Sequence, residues 1–126
     1  MDTNQFACHA EYLFALRCME QGYQVSMPLL HTSVYDIIID TGKSLNKIQV
    51  KSSYQPIHPL RKTVSFAITH RSNSVGYKVS DIDFLALYAD AYKGFFIIPY
   101  TKKITKIRVS LTNKYKSKFN NFVFDL

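Results

Sequence analysis

Tryptophan is absent from this 126-residue sequence, and cysteine is scarce, with only two residues. Two cysteines cannot build a disulfide framework, and neither belongs to a zinc-type cysteine pair. Cys8 and Cys18 stand ten positions apart on one predicted helix, where a mutual disulfide is geometrically awkward. We therefore expect two reduced, mostly buried thiols that have no redox role.

Long hydrophobic runs are also missing from the sequence. No apolar stretch approaches the roughly 20 residues that a membrane helix needs, and residues 1–12 lack the basic and apolar regions of a signal peptide. We expect a cytoplasmic protein with no membrane partner. The chain is 47% hydrophobic and 20% charged, which is enough for one domain with a core, expected to span residues 1–126.

Acidic residues are missing from residues 41–80 and again from residues 101–118, although the whole chain contains nine. Each of these two acid-free stretches contains seven Lys or Arg residues, and the formal net charge of the chain is +7. A solvated basic surface would explain either stretch alone. Two such stretches favour a surface that follows the phosphates of a nucleic acid, because Lys and Arg replace the counterions of the phosphate backbone.

Residues 34–52, which include the start of the first acid-free stretch, predict two strands joined by a tight turn. The first strand, within residues 34–40, is rich in Ile and Val, and the second, residues 45–52, alternates apolar with polar side chains. Gly42 lies between them, where a hairpin turn favours glycine. Because strand side chains alternate between two faces, Gln49 and Lys51 point to the same face, and the opposite face belongs to a core.

The order of polar residues in this hairpin resembles the core motif of the PD-(D/E)XK nuclease superfamily. Asp36 stands on the first strand, and Gln49-Val50-Lys51 follows on the second. Within the superfamily, the chain is similar to a small bacterial group that includes a homing endonuclease encoded in a group I intron. The similarity covers most of the first half of the chain and also includes Ala10-Glu11, Gly22-Tyr23, Tyr35 and Ser52.

The resemblance implies a metal-dependent, site-specific DNA endonuclease that hydrolyses phosphodiester bonds and cleaves both strands. Its expected cofactor is Mg²⁺, with Mn²⁺ as a substitute, bound by Asp36, Glu11 and the backbone carbonyl of Val50. Lys51 would orient or deprotonate the attacking water or stabilise the pentavalent phosphate, and nearby carboxylates should keep it charged. The implied catalytic set is Glu11, Asp36, Gln49 and Lys51.

Gln49 departs from the Asp or Glu that most members of the superfamily carry at this place. Its amide offers an oxygen but no negative charge, so the site holds less charge against a cation. The number of metal ions per site therefore stays open.

Glu11 falls on a predicted helix, residues 5–21, which Gly22 is well placed to end. An acid on an apolar face is costly unless something compensates its charge. One interpretation is a Glu at the edge of the stripe that reaches solvent or pairs with Arg17 or a lysine. The other is an inward carboxylate that faces the metal site. The apolar stripe around it consists of Ala7, Phe14, Ala15 and Cys18.

The remaining patterns predict a single α/β domain of the PD-(D/E)XK nuclease type, with a central mixed β-sheet flanked by helices. The apolar segments 81–89 and 94–100 bracket a short turn and predict an antiparallel pair. Asp81 and Asp83 alternate like strand residues, and such a pair more often opens a strand than binds a metal. Further strands are expected at residues 23–27, 63–69 and 106–111, and the hydrophobic residues 119–126 are expected to dock on the core or on a second subunit.

Two loops are candidates for contacts with DNA. Residues 54–62 are interrupted by proline, and residues 70–78 are polar and basic. Such loops usually only connect elements, but in a nuclease Arg71 and Asn73 would suit base edges and Lys78 a phosphate. The full set of candidate DNA-binding residues is Lys43, Lys47, Arg61, Lys62, Arg71, Asn73, Lys78, Lys102 and Lys103.

Other functions are compatible with the same residues. A Holliday-junction resolvase would share the catalytic core and differ in recognising the shape of the junction. A catalytically silent basic module would bind DNA or RNA without cutting it, and a structural or protein-interaction role is the remaining class. If the chain cuts both strands of DNA, its single cleavage centre implies a homo-oligomer, either a dimer or a tetramer.

Overall fold

The computed structural model describes residues 1–30, 32–70 and 75–124. Its α-helix, α1, spans Thr3–Glu20 and begins two residues before the predicted start. The side chain of Asp2 caps it by accepting a hydrogen bond of 2.8 Å from the N–H of Gln5, whose own side chain accepts one of 3.1 Å from the N–H of Asp2. Gly22, with φ of +85°, follows the helix end as the sequence predicted.

Seven strands form two sheets within the described residues. The larger sheet is mixed, as predicted, and has the strand order β1-β2-β3-β5-β6, in which β3 and β5 are parallel and the other neighbours are antiparallel. The smaller sheet pairs β4 with β7. The strands are β1 (Gln24–Ser26), β2 (Ile37–Asp40), β3 (Leu45–Ser53), β4 (Val64–Ala67), β5 (Phe84–Ala89), β6 (Gly94–Pro99) and β7 (Lys106–Val109).

The predicted central hairpin is confirmed as β2 and β3, which pair from Ile37 opposite Ile48 to Asp40 opposite Leu45. Its turn contains Gly42 at φ of +88°, a conformation that glycine adopts without strain. The N–H of Gly42 donates a hydrogen bond of 2.8 Å to Oδ1 of Asp40, so this carboxylate serves the turn.

The two faces of the five-stranded sheet are covered differently. Helix α1 packs on one face, where Phe14 and Ala10 meet Ile37, Ile48 and Val50 in a hydrophobic core. The sequence led us to expect helices as the covering elements, but the other face is covered by the β4–β7 sheet. The physical reason is that buried and exposed side chains alternate in residues 64–67 and 106–109. Each short strand therefore has one apolar side, which packs against the larger sheet.

The hydrophobic C-terminal segment docks on the core of its own chain. Phe122 and Phe124 are buried, and the ring of Phe124 lies 5.1 Å from that of Phe84. The hydroxyl of Tyr23 donates a hydrogen bond of 2.7 Å to the backbone carbonyl of Phe122. Of the two places that the sequence left open for this segment, the described part, residues 119–124, occupies the intramolecular one.

Two expectations for the helix were wrong. Ala7 and Cys8 are exposed. The buried stripe of α1 contains Phe6 and Ala10 in addition to the predicted Phe14, Ala15 and Cys18. Burial raises the pKa of the Cys18 thiol to about 12, so this cysteine stays protonated and unreactive. Within the described residues, no helix has both the length and the apolar character to cross a membrane.

Candidate active site

Asp36 directly precedes β2, and it is fixed against β3 by two hydrogen bonds. Its N–H donates to the carbonyl of Ile48, and its Oδ2 accepts from the N–H of Val50, both at 2.8 Å. The pairing of β2 with β3 ends where Ile37 lies opposite Ile48. Beyond this point the carboxylate of Asp36, instead of a backbone carbonyl of β2, accepts the hydrogen bond from the N–H of Val50. Because the N–H and C=O of one strand residue point to the same side, the carbonyl of Val50 also faces the side of Asp36.

Glu11 enters the same site from α1. It lines a cavity of about 310 Å³ together with Asp36, and the other walls come from residues 27–30, Ser33 and Tyr35. Partial burial and the nearby charge of Asp36 raise the pKa of Glu11 to about 7. Arg17 does not compensate this charge, because its guanidinium pairs with Glu20 at 2.8 Å. The placement favours the inward interpretation of Glu11 over the edge interpretation.

Asp36 shares the electrostatic environment of Glu11. Burial raises the pKa of the Asp36 carboxyl, while the hydrogen bond from Val50 and the charge of Lys51 partly offset this effect. Two carboxylates that face one cavity with raised pKa values form a site that is short of positive charge.

Gln49 is buried, with 6% of its surface exposed, and its amide orientation is fixed. Its Nε2 donates a hydrogen bond of 2.8 Å to the carbonyl of Val34. Because a carbonyl can only accept, the amide nitrogen must face Val34 and the amide oxygen must face away from it. No described residue donates to this oxygen, so Gln49 keeps an oxygen ligand to offer.

Lys51 reaches toward the face that carries the β4–β7 sheet. Its Nζ donates a hydrogen bond of 3.1 Å to the carbonyl of Thr69 and lies 5.3 Å from the centre of the Tyr77 ring. Burial lowers the pKa of Lys51, and the charge of Asp36 only partly counters this effect. The nearby carboxylate therefore acts on this pKa in the direction that the sequence analysis expected, but loss of hydration has the larger effect.

The oxygen donors on α1, at Asp36 and on β3 are of the kind that binds a hard divalent cation. Two carboxylates, the amide oxygen of Gln49 and the carbonyl of Val50 match the ligand preference of Mg²⁺, which keeps several waters and needs few protein ligands. Across residues 1–30, 32–70 and 75–124, no three His, Cys, Asp or Glu side chains cluster as they would in a closed all-protein metal cage. The donor set thus fits a magnesium-type site better than a zinc site.

Three contacts at the site carry no sequence signal. The carbonyls of Val34 and Thr69 are backbone groups that every residue possesses, so nothing marks these two in the sequence. Tyr77 is buried at 3% exposure beside Lys51, and burial raises the pKa of its hydroxyl to about 12. The sequence around Tyr77 has no helix or strand pattern, so its burial could not be predicted from the sequence.

Asp81 and Asp83 have the structural roles that the sequence favoured. Oδ2 of Asp81 accepts a hydrogen bond of 2.9 Å from the N–H of Lys78, and Oδ2 of Asp83 accepts one of 2.8 Å from the N–H of Lys47. Both carboxylates therefore fix backbone next to strands β3 and β5.

Most of the candidate DNA-binding residues are exposed to solvent. Lys47 is only partly exposed, and its Nζ donates a hydrogen bond of 2.6 Å to the carbonyl of Ser80. Arg71 and Asn73 lie outside the described residues. The side chains that the structure leaves exposed are Lys43, Arg61, Lys62, Lys78, Lys102 and Lys103.

The fold and the position of Glu11, Asp36, Gln49 and Lys51 define an α/β domain of the nuclease type. A solved structure with this fold is that of the bacterial homing endonuclease I-Ssp6803I, with a TM-score of 0.74 and 23% sequence identity over 94% of this chain and 89% of that chain. No curated protein sequence matched the chain. A family model described as PD-(D/E)XK endonuclease matches residues 1–123. The chain belongs to this PD-(D/E)XK endonuclease family.

Proposed function

We propose that the chain is a metal-dependent DNA endonuclease that cuts both strands at a specific site, as an intron-encoded homing enzyme does. The observation that carries this proposal is the placement of Glu11 and Asp36 in one cavity. Asp36 is hydrogen-bonded to Val50, and the next residue on β3 is Lys51, whose ammonium is anchored by Thr69. Family membership supports the nuclease chemistry. The two acid-free stretches support a polyanionic substrate, and the fold shared with a homing endonuclease supports DNA.

Mg²⁺, or Mn²⁺ in its place, would be held by Asp36, Glu11 and the carbonyl of Val50, and the amide oxygen of Gln49 is a further oxygen donor on β3. When bound, such an ion supplies Lewis acidity toward a phosphate oxygen and makes a bound water easier to deprotonate. The pKa of about 7 at Glu11 means that ion and proton compete for this carboxylate near neutral pH.

The chain's own residues then perform three tasks in phosphodiester hydrolysis. Asp36 and Glu11 fix the position at which water attacks phosphorus, and Gln49 orients that water through its amide oxygen. Lys51 stabilises the negative charge that develops on the phosphate, because its ammonium is anchored by Thr69 in a partly dehydrated place. A new P–O bond forms with the water oxygen, the bond to the leaving sugar oxygen breaks, and the water proton ends on the departing oxygen.

Cleavage of both strands requires more than one copy of the site. The described residues of each chain contain one cavity that both Glu11 and Asp36 line, so we infer a homo-oligomer, a dimer or a tetramer. The buried Phe122 and Phe124 do not provide its interface, because they belong to the core of their own chain. Sedimentation of the purified protein with and without duplex DNA measures the number of copies.

The first test is plasmid cleavage at low salt in the presence of Mg²⁺, Mn²⁺ or EDTA. Wild type should nick or linearise plasmid only with a divalent metal, and Lys51→Ala should lose this activity while still binding DNA. Lys93→Ala is the matched control, because it removes the same group from an exposed position next to Asp90. Metal-independent cleavage, or equal activity of Lys51→Ala and wild type, would contradict the proposal.

Failure to cut generic plasmid calls for two further substrates, a plasmid library with random inserts and a synthetic four-way junction. Cleavage of rare inserts would support a site-specific enzyme. Selective cleavage of the junction would replace the proposal with a resolvase. If every substrate is bound but none is cut with any metal, the chain is a silent nucleic-acid-binding module.

A further inference from the structure

The small sheet formed by β4 and β7 presents a cationic outer face that the proposed cleavage reaction does not use. In both strands, apolar side chains point to the larger sheet and the alternate side chains point to solvent. The buried pairs are Val64 opposite Val109 and Phe66 opposite Ile107. The exposed pairs, which we call the ribbon face, are Ser65 opposite Arg108 and Ala67 opposite Lys106.

The two cations of the ribbon face are free to meet a polyanion. Neither Lys106 nor Arg108 forms an ion pair with a described carboxylate, since the ion pairs there involve Arg17 and Lys93. Both strands lie within the acid-free stretches, so no acidic side chain of β4 or β7 opposes them. The residues opposite the cations are small, and they leave room for another molecule to approach the strands.

The ribbon begins at the candidate active site. Thr69, which anchors the ammonium of Lys51, stands two residues after the end of β4. The N–H of Ile68 donates a hydrogen bond of 2.9 Å to the carbonyl of Thr105, directly before β7. The pair Ala67 and Lys106 is therefore nearest to Lys51, and Arg108 follows along the ribbon away from it.

The dimensions of the ribbon fit the major groove of DNA. Four residues per strand extend about 13 Å, and the strands lie about 5 Å apart, whereas the major groove of B-form DNA is about 12 Å wide and admits a two-stranded ribbon. The deep, narrow major groove of an RNA duplex does not admit side chains in this way. Arg suits a guanine edge, and Ser and Ala suit smaller contacts such as a thymine methyl group.

The geometry points to the β4–β7 ribbon as the element that reads DNA sequence in the major groove beside the cleavage site, with Arg108 contacting base edges and Lys106 the phosphates. This inference rests on the proposed function, because it assigns the recognition part of that same nuclease. None of the four ribbon-face residues belongs to the loop and turn residues that the sequence suggested for DNA contact.

The test compares Arg108→Gln and Lys106→Gln with Arg17→Gln. Arg17→Gln removes the same charge from α1, on the opposite face of the five-stranded sheet, and breaks only an exposed ion pair with Glu20. Each protein is incubated in EDTA with a randomised duplex DNA pool, and the bound fraction is sequenced. Affinity for a selected duplex is then measured over a range of salt concentrations, with and without an RNA duplex as competitor.

We expect each ribbon variant to bind DNA about tenfold or more weakly, and Lys106→Gln to reduce the slope of log affinity against log salt by about 1. Arg108→Gln should in addition relax the base preference at one position or a few. The RNA duplex should compete poorly. A uniform loss of affinity with unchanged base preferences would overturn the reading of bases by Arg108, and efficient competition by RNA would overturn the major-groove geometry.

The outcomes separate this inference from the proposed function. Ribbon variants that match Arg17→Gln while wild type cleaves DNA would overturn the ribbon inference alone. Wild type that binds DNA through the ribbon with sequence preference but never cleaves would support the inference and contradict the nuclease. Wild type that binds no duplex DNA overturns both. Circular dichroism and thermal unfolding of each variant verify that the fold is retained, as expected for exposed side chains.

Discussion

Replacing Glu11 with Gln should stabilise the metal-free protein and disable the enzyme at the same time. Burial and the charge of Asp36 raise the pKa of Glu11 from its ordinary value of 4.5 to about 7. Between these two values the folded state holds a proton that the unfolded state has released. The free energy of unfolding therefore falls as the pH rises through this window and stays low above it. Gln has nearly the same shape and no charge, so it removes this cost.

The size of the effect follows from the two pKa values. A change from 4.5 to about 7 corresponds to about 3 kcal/mol at about 1.4 kcal/mol per pH unit. Because Glu11 is only half-buried, water screens part of this cost, and we expect about 1–2 kcal/mol. For a domain of this length, that raises Tm by about 3–8 °C at pH 8. At pH 4.5 the two proteins should differ little.

The assay is thermal unfolding in EDTA between pH 4.5 and pH 8, with Glu20→Gln as the control. That control makes the same chemical change at an exposed position of the same helix, where it breaks only a surface ion pair, so its effect should stay below about 0.5 kcal/mol. Mg²⁺ should then stabilise wild type at pH 8 more than Glu11→Gln, and the variant should cleave DNA at least about tenfold more slowly. Equal Tm values of wild type and Glu11→Gln at pH 8, or a difference independent of pH, would show that Glu11 is solvated and would refute the reasoning.

Three further predictions concern Gln49, Gly94 and the cysteines. Gln49→Glu removes the hydrogen bond to the carbonyl of Val34 and should lower the free energy of unfolding in EDTA by about 1–3 kcal/mol. Because the variant adds a negative charge, Mg²⁺ should restore part of this stability in thermal unfolding experiments. No response to Mg²⁺ would argue against metal binding near this residue. Gly94→Ala would place a Cβ 2.5 Å from the ring of Phe119 and 2.7 Å from Oδ1 of Asn120. This Oδ1 accepts a hydrogen bond from the N–H of Phe95, so the variant should lower the free energy of unfolding by about 2 kcal/mol or more. Gly22→Ala, with no atom within 4 Å of the added Cβ, should cost only the strain of its positive φ, about 1 kcal/mol, and the reverse order of the two Tm values would contradict this packing. A thiol reagent should label the native protein once, at Cys8, and label Cys18 only after denaturation, so labelling of native Cys8→Ser would disagree with a buried Cys18.

Local patterns sufficed for the central hairpin and for the helix. The hairpin combines the alternation of Ile48 and Val50 with polar neighbours and Gly42 at the turn, and both signals act within a few residues of each other. The order of Asp36, Gln49 and Lys51 added the resemblance to a nuclease family, and the family model confirms it. Each of these signals is carried by side-chain identity, which a sequence displays directly.

The covering layer and the polar partners of the site could not be found in this way. Val64 pairs with Val109 across a long segment of chain, and no local signal specifies that two short strands will meet and replace a helix. The contacts of Lys51 and Gln49 go to backbone carbonyls, which are the same at every residue. The pKa of Lys51 depends on how much water the folded chain removes, and this quantity exists only after the layers have packed.

Asp36 and Glu11 should behave differently when a gene for such a protein is no longer selected for cleavage. Asp36 accepts the hydrogen bond of the Val50 N–H, so a substitution that removes this acceptor costs folding as well as catalysis, and selection for a folded chain alone would retain Asp or its uncharged counterpart Asn. Glu11 lowers the stability of the metal-free fold, so drift would remove it readily. A related sequence that keeps an aspartate or asparagine at this position and loses the glutamate is therefore expected to encode a folded protein that no longer cuts.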